Sequence, residues 1–87
     1  MTTAIIDHHA RTIARARLAL EEAQAVHTAA VAEVGRLQQR IADCEARRAA
    51  ITSRRLAGES NADEASEYAA LAGDLDVLRE LLADAQA

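Results

Sequence analysis

The sequence predicts an all-α chain: an antiparallel helical hairpin with a long first helix and a shorter second one, assembling into an antiparallel coiled-coil dimer or a four-helix-bundle-like oligomer. Three observations lead there. An a/d heptad runs without a break from Ile6 to Arg55. The chain has no Pro, and the only Gly before residue 58 is Gly35, so nothing forces a helix break. The mix of Ala, Leu, Glu and Arg is that of long helices and coiled coils.

One heptad column holds Ile6, Ile13, Leu20, His27, Val34, Ile41, Arg48 and Arg55. The other holds His9, Ala16, Ala23, Ala30, Leu37, Cys44 and Ile51. The first helix is expected over about residues 3–56, with Thr2 or Thr3 as its cap and Asp7 near its positive end. Arg54 and Arg55 suit a helix C-terminus, and Gly58 supplies the stop, so a turn is expected over about residues 57–61. Ser60 or Asn61, with Asp63 and Glu64 three residues behind, forms a capping box that opens a second helix over about residues 62–86. Its columns are Tyr68, Leu75, Leu82 and Leu71, Leu78, Ala85. Residues 1–87 thus read as a single helical domain.

Antiparallel helices set a positions against d positions. With the turn near residue 59 or 60, Val34 faces Ala85, Leu37 faces Leu82, Ile41 faces Leu78, Cys44 faces Leu75, Ile51 faces Tyr68 and Arg55 faces Glu64. At the flanks Arg54 falls beside Glu67 and Arg47 beside Asp74. The second helix is too short to cover the start of the first. Ile6, Ile13 and Leu20 are left without a partner in the chain, and a second copy running antiparallel covers them in one register. Ile6 then meets Ala30, Ile13 meets Ala23, Leu20 meets Ala16 and His9 meets His27, each large aliphatic side chain against a small one. The expected oligomer interface is therefore Ile6, His9, Ile13, Ala16, Leu20, Ala23, His27 and Ala30. Burying three aliphatic side chains per chain, at roughly 1.5–3 kcal/mol each, is enough to hold a dimer against association costs. Arg17 lies near its own symmetry mate, with Glu21 one turn on to neutralise it. Ile5, Leu18, Val26, Val31, Val77 and Leu81 lie off the seam and allow a tetramer or a further protein partner.

Composition narrows the function classes. Tyr68 is the sole aromatic and 23 residues are Ala, so packing rests on close approach of small side chains. All ten basic residues are Arg, which fits a GC-rich bacterial or phage source. Residues 1–57 carry nine Arg against six acids, while residues 58–87 carry one Arg against eight acids. So uneven a split suggests parts that meet each other or meet something charged. The single Cys44 excludes an internal disulfide and fits a reducing compartment. No basic region followed by an apolar run opens the sequence, and no membrane span is legible, so a soluble, cytoplasmic protein is expected.

No enzyme is expected. Ser53, Ser60 and Ser66 have no His or oxyanion-type glycine turn beside them, and Gly35, Gly58 and Gly73 are isolated. Cys44 has no His within two turns and reads as packing. Asp7, His8 and His9 do not converge on a helix, so no metal and no cofactor is expected. Across a dimer seam, His9 against His27 reads most simply as a neutral, register-setting polar layer. A pH switch and a transition-metal site are its sharper alternatives. Arg36, Arg40, Arg47 and Arg54 resemble a nucleic-acid stripe, but the acidic chain and the missing aromatics argue against nucleic acid as partner.

The function expected is that of a non-catalytic, oligomeric helical scaffold or adaptor acting through association with itself and with another protein. The alternative is a small acidic inhibitor or regulator that imitates nucleic acid. Its partner-binding residues are Asp76, Glu80 and Asp84, one acid per turn along the second helix at a rise near that of strand phosphates.

Overall fold

A helix-rich sequence with one strong stop signal yields two helices, α1 over Thr2–Leu56 and α2 over Ala62–Gln86. They are seen in a computed structural model that describes residues 2–87, with side chains from Thr3 onward. There is no strand among the described residues. The chain divides into two units, Met1–Val31 and Ala32–Ala87. The first is the amino-terminal part of α1; the second is a helical hairpin.

The hairpin turns where local chemistry requires it. Gly58 takes φ 76°, a left-handed conformation that L side chains resist. Its N–H donates to the Arg55 carbonyl at 3.0 Å, and the Glu59 N–H donates to the Arg54 carbonyl at 2.8 Å. These two bonds are the Schellman pair, which satisfies carbonyls that the helix end would otherwise orphan. Arg54 closes the turn a second time by donating from Nη2 to the Glu59 carbonyl at 3.1 Å. On the far side Asn61 is the N-cap of α2, and its Oδ1 accepts from the Glu64 N–H at 2.9 Å.

Between α1 and α2 the heptad columns turn inward. Ile51 and Leu75 are fully buried, and Leu37 and Leu78 nearly so. Val34, Ile41, Cys44, Leu71 and Leu82 are half-buried. The Tyr68 ring lies 4.5 Å from Arg48 Cζ and 5.1 Å from Arg55 Cζ. Those two arginines stand one turn either side of Ile51, so Tyr68 lies level with Ile51 as the heptad register requires. The Tyr68 hydroxyl also accepts from Arg48 Nη2 at 3.0 Å. A phenol that serves a half-buried guanidinium in this way explains how an arginine occupies a seam position.

At the cap of α1 and at the charged flanks the structure departs from the sequence expectation. Thr3 is an interior residue of α1, the Thr2 side chain lies outside the described residues, and Asp7 lies beyond the first turn. Ala85 is exposed at the far end of the seam. Arg54 pairs with Glu64 and Glu59 rather than with Glu67. Arg47 takes Glu67 rather than Asp74, through two bonds of 2.9 and 2.8 Å. Arg55 does not meet Glu64 but lies over the Tyr68 ring. An arginine side chain is long enough to reach along the neighbouring helix, so position on the ladder alone does not choose its partner. Glu64 does: it continues the inward column of α2, is only 9% exposed and needs the nearest guanidinium. With Arg54 so engaged, Glu67 is left to Arg47. Arg79 and Glu45 add a further link at 3.0 Å.

Replacing Ile51 by Ala should lower the unfolding free energy by about 2–5 kcal/mol, because it empties a closed layer. Gly58→Ala should lower it by about 1–2 kcal/mol through the left-handed backbone alone. Urea titration followed by circular dichroism checks both. The hydrogen bond from Arg47 holds the Glu67 carboxyl below its usual value against the opposing effect of burial, with a smaller contribution from the Arg47 charge. A carboxyl depressed on folding stabilises above its unfolded value and loses that contribution as pH falls through the folded one. Wild type should therefore lose stability on acidification more steeply than Glu67→Gln, compared in the same denaturant titration between about pH 6 and pH 3.

Candidate interaction surface

Residues 2–31 are helical for local reasons, Ala at many positions and no Pro, and two hydroxyls turn back onto the helix. Thr12 donates from Oγ1 to the His8 carbonyl at 3.0 Å, and Thr28 to the Gln24 carbonyl at 2.9 Å. Each threonine thereby satisfies its own polar atom.

Every residue from Thr3 to Glu33 is exposed. That includes all eight residues expected at an oligomer interface: Ile6, His9, Ile13, Ala16, Leu20, Ala23, His27 and Ala30. Alternating steps of three and four residues bring them onto one side of the helix. Ile6 is 61% exposed, Ile13 57% and Leu20 58%, values that contrast with those of Leu37 and Ile51, further along the same heptad. Ile5, Leu18, Val26 and Val31 are exposed as well. A row of large aliphatics is thus open to water along this stretch of α1. Charge in the unit is ordered along the axis: Arg11, Arg15 and Arg17 come first, Glu21 and Glu22 after. Neither Asp7 with Arg11 nor Arg17 with Glu21 forms one of the ion pairs among the described residues. Exposed charges gain too little from each other to be held in one geometry.

In the hairpin, Asp76, Glu80 and Asp84 are exposed along α2 and enter no ion pair among the described residues. Val77 and Leu81 are exposed on the same helix. Of the arginines that resemble a nucleic-acid stripe, three have carboxylate partners: Arg36 with Glu33 at 2.6 Å, Arg47 with Glu67, and Arg54 with Glu64. Cys44 is a half-buried free thiol. No group of three or more His, Cys, Asp or Glu converges among the described residues, and no described helix is long and apolar enough to cross a membrane.

Sequence reasoning missed two features of the hairpin. One is the Tyr68 ring held between Arg48 and Arg55, which was legible in a lone aromatic facing the position midway between two heptad arginines. The other is the burial of Glu64, whose Oε2 has no hydrogen-bond partner. Its spacing from Tyr68 and Leu71 was the available signal.

No family model matches the chain, and neither a curated protein nor a solved structure matches it at a significant level.

Proposed function

We propose that this chain is a non-catalytic helical scaffold or adaptor that works by association: with copies of itself through residues 6–30 of α1, and with another protein through the apolar positions outside that seam. The observation that carries this reading is the exposure of Ile6, Ile13 and Leu20 on one helix face. Three such side chains shielded from water are worth roughly 1.5–3 kcal/mol each, counted for each chain that joins. The Ala residues between them let a partner helix approach closely.

A second reading rests on the unpaired acids Asp76, Glu80 and Asp84. A row of exposed carboxylates at helical spacing suits the basic, nucleic-acid-binding surface of a partner, and the chain is then an inhibitor or regulator of that partner.

The two readings respond oppositely to salt and to mutation. Under the scaffold reading Leu20→Asp should turn the assembled chain into a monomer in sedimentation experiments while leaving the hairpin's helicity intact, and the assembly should persist in high salt. Under the mimic reading a basic partner should be released by added salt and by the triple change Asp76→Asn, Glu80→Gln, Asp84→Asn. Sedimentation of wild type as a monomer at micromolar concentration would overturn the scaffold reading.

A further inference from the structure

Resting on the scaffold reading, we propose that the cover of the α1 face is a second copy of this chain running antiparallel, and that the two histidine layers so created make the pairing release when acidified.

The direction follows from shape and charge together. An in-register parallel partner stacks Ile13 on Ile13 and Ala16 on Ala16, so the gap between helices widens and narrows along the seam. Reversing the partner about a dyad near Leu18 puts Ile13 against Ala23 and Leu20 against Ala16, which keeps the gap even. The same reversal brings Arg15 across from Glu22 of the second copy, twice by symmetry, and small Ala19 lies between them where it does not obstruct the reach. The exposed ordering of charge in this unit, arginines before glutamates, complements itself when the second copy runs antiparallel. Arg17 beside its own mate is the one unfavourable contact, with Glu21 of either chain a turn away.

That register sets His9 over His27 of the second copy, once at each end of the dyad. On the second copy the positions above and below His27 are Ala23 and Ala30, with Gln24, Val26 and Val31 at the flanks. On its own helix His9 is followed by Ile13 and preceded by Ile5 and Ile6, while Asp7 and Arg11 project from the opposite side. Of the charged residues nearest His27 in sequence, Glu22 projects away from the seam, while Glu33 stands at the flank one heptad beyond Val26, nearly two turns from His27, and is engaged by Arg36 at 2.6 Å. No carboxylate therefore lies level with either imidazole on either helix. Two neutral imidazoles share a hydrogen bond there; two imidazolium ions repel each other in an apolar layer. Proton uptake and pairing compete, and each protonation favours the separated chains.

Two measurements test this on the full chain. In a Cys44→Ser background, chains carrying Ile13→Cys are mixed with chains carrying Ala23→Cys and oxidised, and Ile6→Cys with Ala30→Cys serves as the second pair. The mixed disulfide should predominate over either self-linked product; self-linked Ile13→Cys would overturn the antiparallel arrangement. Sedimentation equilibrium of wild type should then give a dissociation constant at least about tenfold larger at about pH 5.5 than at about pH 8. The double variant His9→Leu, His27→Ala, which keeps the large-against-small pattern, should lose that response. An antiparallel dimer indifferent to pH would overturn the acid release alone. A chain monomeric at both pH values would overturn the self-association on which the inference rests.

Discussion

Aliphatic side chains that recur every three and four residues form a stripe down one side of a helix, and water disfavours each of them in proportion to the area it wets. Everything in this molecule depends on how that stripe is treated. From Val34 to Ile51 it meets a matching stripe on α2, and Ile51, Leu75, Leu37 and Leu78 leave solvent. From Ile6 to Ala30 the same period continues with every member exposed. The difference between the two stretches is not in their pattern but in whether the chain supplies a complement. Small residues sharpen the contrast, because the alanines of the exposed stretch offer little surface to each other and a good deal to a partner's isoleucine or leucine.

Where the complement exists, polar groups define the pairing more than they strengthen it. The Schellman bonds at Gly58 and the Asn61 cap end one helix and begin the next within a few residues. Arg54 then ties the strands of the turn together through the Glu59 carbonyl and the Glu64 carboxylate. Arg48 is a costlier choice, since a guanidinium in a seam must be satisfied, and Tyr68 meets it with both its ring face and its hydroxyl. Arg48 Nε and Glu64 Oε2 remain without hydrogen-bond partners, which is the usual cost of polar groups that specify a register. A helical hairpin built from alanine and leucine alone can slide by a heptad; one with these groups at fixed levels cannot do so without stranding them.

The same logic gives the histidines of the amino-terminal stretch their interest. A seam made only of Ile, Leu and Ala has no means of sensing its surroundings. One imidazole in each column, His9 and His27, adds polarity at two levels of that face.

The end of α1, the turn, the start of α2 and most of the inward columns were legible in the linear sequence. Each depends on local chemistry: Gly58 as the left-handed stop, Asn61 as the cap, and a period that needs no knowledge of the partner. The candidate surface was legible for the same reason, because Ile6, Ile13 and Leu20 outrun what a 25-residue second helix can cover. The ion pairs were not. Arg54 and Arg47 each had several carboxylates within reach, and only the folded hairpin decided between them, by burying Glu64 and so committing the nearest guanidinium to it. Tyr68 between Arg48 and Arg55 belongs to the same class of outcome. Periodicity says which residues turn inward, since that is a property of one helix. Which long side chain meets which is settled by competition across two helices, and that competition exists only once they have packed.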